Sequence, residues 1–116
     1  MTGGITGNLT NSLERYMDLL SSRLKLVASN IANADTPGYR TQDIDFQAEF
    51  MSMVDGGKPQ TVAPRGLEEK PDGNNVSMDR EARLLAENAI RFSLASTLVR
   101  ERLKMVRNAI QEGRGI

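Results

Sequence analysis

Residues 13–40 read LERYMDLLSSRLKLVASNIANADTPGYR, and the fold turns on how this stretch is parsed. Its apolar positions Leu13, Met17, Leu20, Leu24, Val27, Ile31 and Ala34 alternate steps of four and three. On a helix that alternation gathers them on one narrow seam of the coiled-coil kind. Leu19 and Leu26 widen the seam, while Glu14, Asp18, Arg23 and Lys25 fall largely off it. Asn11 and Glu14 have capping-box spacing, which predicts a helix start there and a flexible N-terminus over residues 1–10. The helix is expected to close at Asn33 or Ala34, since asparagine tolerates the left-handed conformation that ends a helix. The predicted helix therefore covers residues 11–34.

The segment after the helix is dense in special residues. Thr36-Pro37-Gly38-Tyr39 fits a type II turn, with proline presetting φ at the second position and glycine supplying positive φ at the third. Asn30 falls one turn before Asn33 on the same helix side. Their amides are placed to tie the last turn to the Pro-Gly corner or to a neighbouring backbone. Tyr39 adds an apolar ring with a polar tip, useful where chain meets chain. On the residues alone this is either an elaborate helix stop or a stereotyped joint that sets how the chain leaves the helix.

Downstream, a second helix is predicted over residues 77–112. Ser77 is placed as its N-cap, with Asp79 and Glu81 in the first turn, where negative charge suits the helix dipole. Its seam reads Met78, Ala82, Leu85, Ala89, Phe92, Ser96, Val99, Leu103, Val106 and Ile110, and Gly113 and Gly115 are expected to stop it, leaving 113–116 as a tail. At ~1.5 Å per residue such a helix is about 50 Å long, more than a domain of this size wraps around. Asn88, beside the seam, is read as an exposed or backbone-bonded amide or as a register pin.

Between the helices, residues 35–76 form the joint and a loop-rich connector. Asp55-Gly56-Gly57-Lys58-Pro59, Ala63-Pro64-Arg65-Gly66 and Pro71-Asp72-Gly73-Asn74-Asn75 are turn chemistry. Phe46, Phe50, Met53 and Val54 make a short amphipathic turn of helix, and Thr61-Val62 is at most a scrap of strand. The expected fold is mostly α: two long amphipathic helices in an antiparallel coiled-coil-like pair, with little or no β. Two such helices own more apolar seam than they cover by pairing with each other. Leu13, Met17, Leu20, Leu24, Val27 and Ile31 on the first, with Leu85, Phe92, Val99, Leu103, Val106 and Ile110 on the second, are therefore the expected helix–helix and assembly seam.

Composition narrows the function. The 116 residues carry 15 Lys and Arg against 15 Asp and Glu, a formal net charge of zero, which argues against a nucleic-acid partner. With no Cys and no His, disulfides, thiol nucleophiles and imidazole metal ligands are excluded. Asp43 and Asp45, with Glu49 nearby, are the only tempting carboxylate cluster, and no phosphate loop accompanies them. They are read as solvent-facing or capping acceptors around buried Ile44 and Phe46. No catalytic, cofactor or metal residue is assigned, and no small-molecule substrate. The opening MTGGITGNLTNSLER has neither a basic start nor an apolar stretch, so no cleaved secretory signal is expected.

The positions Asn30, Ala32, Asn33, Thr36, Pro37, Gly38 and Tyr39 resemble the signature of the flagellar basal-body rod and hook axial family. There a long N-terminal helix ends in an Asn-x-Ala-Asn-x-x-Thr-Pro-Gly-Tyr pattern. Asp43-Ile44-Asp45-Phe46, Asp72-Gly73-Asn74-Asn75-Val76, Leu85-Ala86-Glu87-Asn88 and the short length resemble its proximal rod type. The resemblance implies a structural, non-enzymatic subunit whose terminal helices pack as coaxial coiled coils into the torque-transmitting drive shaft. It further implies export by the flagellar type III apparatus without signal cleavage, and a place in the periplasmic rod of the basal body. Implied partners are further copies, the rod-base adaptor, the other proximal rod protein, the MS ring and the export gate. The seams alone also permit a free-standing helical binding module, such as an export chaperone or coiled-coil regulator, which leaves the Thr-Pro-Gly-Tyr joint without a purpose.

Overall fold

The periodic segments become α1 (Gly4–Ala32) and α3 (Met78–Arg114), two helices that run antiparallel against each other in a computed structural model describing residues 4–52 and 58–114. The direction is set by pairs along their length: Asn30 bonds Glu81, Asn88 bonds the Leu20 carbonyl, and Leu9 lines one cleft with Leu94 and Leu98. Between them lie β1 (Asp43–Ile44), α2 (Phe46–Ser52) and β2 (Thr61–Val62). The two strands pair antiparallel, Asp43 opposite Val62 and Ile44 opposite Thr61. The molecule is long and thin, 72 × 24 × 18 Å. No described helix is long and apolar enough to cross a membrane.

The core is a narrow strip. Leu19, Leu20 and Val27 of α1 are buried with Leu84 and Ala95 of α3, and Ile44 and Val76 close one end. The short helix α2 forms where Phe46 and Phe50 predict it. Asp45 caps it by accepting from Ala48 N at 3.2 Å, and Tyr16 of α1 meets Phe46 and Phe50 edge-on at 5.4 and 5.9 Å. Met53 and Val54, the rest of that predicted turn, the Asp55-Gly56-Gly57 turn and Gly115 lie outside the described residues.

Three expectations are corrected. First, α1 begins at Gly4 and not at the Asn11–Glu14 spacing. Leu9 lines an apolar cleft with Leu94 and Leu98 yet stays 44% exposed, and the capping spacing downstream is a weak local signal that tertiary context overrides. Second, Gly113 does not stop α3, which runs on to Arg114. A helical glycine costs only about 1 kcal/mol relative to alanine. Third, the face of α3 turned toward α1 is not its apolar seam. It carries Glu81, Leu84, Asn88 and Ala95, while Leu85, Phe92, Leu103, Val106 and Ile110 are exposed. The hydrogen bonds of Glu81 and Asn88 to α1 fix this rotation.

The pairings also show an overhang. With Leu20 beside Asn88 and Leu9 beside Leu98, Gly4 falls about level with Leu103, so the last turns of α3 pass the described start of α1.

Leu20→Ala is expected to lower stability by about 2–5 kcal/mol, the usual effect of emptying a tight core position. Ile110→Ala, on the overhang, should stay within about 0.5 kcal/mol. Urea unfolding of the dilute chain checks both.

Candidate assembly joint and apolar ridge

Asn30 is wholly buried where α1, the connector and the start of α3 meet. Its Nδ2 donates to the Gln42 carbonyl at 2.8 Å and to Glu81 Oε1 at 2.7 Å. Its Oδ1 accepts from Tyr39 Oη at 2.9 Å and from Gln42 N at 3.1 Å. An amide offers two donors and two acceptor lone pairs, so Asn30 is fully satisfied. Ser29 Oγ lies 3.2 Å from the same tyrosine hydroxyl.

The turn is built as its residues predict. Tyr39 N donates to the Thr36 carbonyl at 3.2 Å, and Gly38 has φ +75°. Asn33 Nδ2 donates back to the Ser29 carbonyl at 2.8 Å, and Asn33 Oδ1 accepts from Thr36 Oγ1 at 3.0 Å. Ala32, Thr36, Pro37 and Gly38 are exposed, while Asn33 and Tyr39 are half-buried.

A second asparagine pair, not assigned from the residues, completes the joint. Asn74 is fully buried and donates to the carbonyls of Asn33 at 2.9 Å and Thr36 at 2.8 Å, while its Oδ1 accepts from Val76 N at 2.8 Å. Asn75 Oδ1 accepts from Thr41 N at 2.6 Å, and Thr41 Oγ1 donates to the Asn75 carbonyl at 3.1 Å. Gly38 N donates to the Asp72 carbonyl at 2.9 Å. The two loops approach so closely that a Cβ on Gly73 would sit 3.4 Å from Gly38 Cα.

An ionic chain extends from Asn30 back to Arg23, about two turns away on the same face of α1. Glu81, with no exposed surface, accepts from Asn30 on one oxygen and from Arg80 Nη1 at 2.7 Å on the other. Arg80 reaches on to Asp43, which Arg23 also holds in a two-pronged grip at 3.0 and 2.9 Å. Two guanidiniums thus balance two carboxylates. Asp43, read as solvent-facing or a capping acceptor, is only 4% exposed: it accepts from Ile44 N at 2.7 Å, and Arg23 and Arg80 both reach its carboxylate. Burial alone would raise its carboxyl. The Arg23 bond, the Ile44 N–H, the charge of Arg23 and the Arg80 bond outweigh that and hold it below its ordinary value. Sequence reasoning missed Arg23, Asp43, Arg80, Asn74 and Asn75 and read Glu81 only as a dipole partner. The signals were the resemblances of Asp43–Phe46 and Asp72–Val76 to the proximal rod type.

The seam residues divide. Leu20 and Val27 are buried, Leu13, Met17 and Ile31 half-buried, and Leu24 exposed along a groove. On α3, Val99 is half-buried, whereas Leu85, Phe92, Leu103, Val106 and Ile110 form an outward ridge, Phe92 at 41% and Leu103 at 58% exposure. The arrangement is a polar clamp beside an apolar rail.

The chain has known relatives. The family model for "Flagella basal body rod protein" matches residues 17–40, which hold most of the α1 seam and the whole Thr-Pro-Gly-Tyr turn. "Flagellar basal body rod protein FlgB" of Salmonella typhimurium strain LT2 is 33% identical over 86% of this chain and 91% of its own length. The protein of that name from Escherichia coli K12 is 30% identical with the same coverage, and that from Borrelia hermsii 29% identical over 84% of this chain and 91% of its own.

Asn30→Asp removes two donors and sets a second carboxylate against Glu81. A loss of more than about 2 kcal/mol is expected at neutral pH, read by urea unfolding. Gly38→Ala has open space for its Cβ, so its cost of ~1 kcal/mol comes from φ alone. For Asp43, a folded pKa lowered below the unfolded one contributes stability that is complete above about pH 4 and is lost as pH falls through the folded value. Asp43→Asn should accordingly flatten the acid limb of a stability–pH curve.

Proposed function

Because the chain belongs to the flagellar basal-body rod protein family, we propose that its clamp and its ridge are the working parts of a structural subunit of the proximal rod. The observation that carries this reading is the outward α3 ridge, Leu85 to Ile110. The fold leaves Leu85, Phe92, Leu103, Val106 and Ile110 exposed to water. A soluble monomer gains nothing from such a rail, while an assembled tube buries it at roughly 25 cal/mol per Å².

In this reading the seam residues Leu13, Met17, Leu24, Ile31, Leu85, Phe92, Val99, Leu103, Val106 and Ile110 make the contacts of assembly. The joint from Asn30 to Tyr39 fixes the angle at which the connector leaves the axial helices. A stiff exit angle suits a shaft that passes torque along its length. The subunit meets further copies of itself and other rod components, with the rod-base adaptor, the other proximal rod protein and the MS ring as neighbours. It leaves the cytoplasm through the flagellar export gate. Absence of cysteine suits that passage, since no crosslink forms to obstruct a narrow channel.

Leu103→Asp tests the ridge. The purified chain should keep its helical circular dichroism, because Leu103 already faces water, while cells carrying it should lose swimming and yield no rods. Normal motility in this variant would refute the assignment of the ridge to assembly.

A further inference from the structure

The α3 ridge changes setting along its length. Leu85, Ala89 and Phe92 form one wall of a groove of about 500 Å³ whose other wall is Ser21 and Leu24 of α1. Leu103, Val106 and Ile110 lie on the overhang, exposed, with no described residue of α1 level with Val106 or Ile110. One patch is a furrow and the other a bare helix edge, and each is apolar.

Charge distinguishes them further. At about 3.6 residues per turn, Arg100 and Arg107 flank the overhang ridge on one side and Arg102 on the other, while Glu101 and Glu112 fall on the opposite face. Along the groove, the charges of α3 between Ala82 and Val99 are Arg83, Glu87 and Arg91, all turned away from it. Glu14 and Asp18 of α1 are exposed beside its Phe92 end, and Lys25 lies toward its Leu85 end. The overhang is thus edged with cations, and the end of the groove nearest Phe92 is edged with anions.

Resting on the rod reading, we propose that the overhang of α3 from one copy of this chain seats in the α1–α3 groove of the next. Val106 packs on Phe92, and Arg100 and Arg107 run along Glu14 and Asp18. The two patches differ and every copy carries both, so the contact is heterologous and leaves a free groove and a free overhang at the ends of any chain of subunits. One helix edge in one furrow is a small interface by the standards of stable dimers, so it holds through repetition within an assembly and not as an isolated pair.

The chain contains no cysteine, which makes a pairwise crosslink clean. Basal bodies are isolated from cells carrying Phe92→Cys with Val106→Cys and oxidised with copper phenanthroline. A band at twice the subunit mass is expected from the double variant and not from either single variant. Basal bodies that contain the chain but give no such band overturn this contact alone. A band of equal strength from one single variant also overturns it, since that result means like patches meet. Absence of the unmutated chain from basal bodies removes the rod reading and the contact together. Should the cysteine variants not assemble, a charge exchange decides: Arg107→Glu should slow swarming and Glu14→Arg added to it should restore it. No recovery overturns the proposal.

Discussion

The arrangement depends on one buried amide. Asn30 spends both its donors and both its acceptor pairs on Gln42, Tyr39 and Glu81, and so joins α1, the connector and α3 at a single point. A buried polar group with an empty valence is costly, so the only comfortable arrangement is the one that satisfies all four. Satisfying them sets the rotation of α3. Glu81 must face α1, Asn88 two turns further along the same stripe then bonds the Leu20 carbonyl, and the strongest apolar stripe of α3 is carried round to the outside. Polar geometry here overrules the hydrophobic preference that would pair ridge with ridge.

That competition explains what could be read from the residues and what could not. The helices were legible because four–three spacing over long runs has one structural meaning, and the Pro37-Gly38 turn because its φ requirement is local. The end of α1 was legible to within two residues, Ala32 against the expected Asn33 or Ala34. Its beginning was not, since the Asn11–Glu14 capping spacing is a weak local signal and the helix runs back through it to Gly4. The ion chain was hidden because Arg23, Asp43 and the Arg80–Glu81 pair sit far apart in sequence, and nothing local distinguishes a buried carboxylate from a solvated one. Asn74 and Asn75 had composition in their favour but no partner in view until the Thr36–Tyr39 turn folded against them.

The clamp and the ridge also divide the energetics. At the joint nearly every buried polar atom has a partner, and the carboxylates and guanidiniums neutralise one another, so little is left over for a neighbour to supply. Toward the other end the helices are held by a thin apolar strip, and beyond Leu103 by nothing from the described part of α1. Firmness and availability are thus placed at opposite ends of one elongated molecule. A rod subunit of this family needs both: a fixed corner within the subunit and surface reserved for others.

The uncovered ridge has a thermal consequence. Near room temperature, removing apolar surface from water is driven by entropy and strengthens on warming, with a negative change in heat capacity. Hydrogen-bonded ion pairs such as those at Asp43 do not share that signature. On the proposed reading, in which subunits join through the ridge, that joining weakens on chilling, while the ion pairs at the joint of each subunit do not follow the same trend.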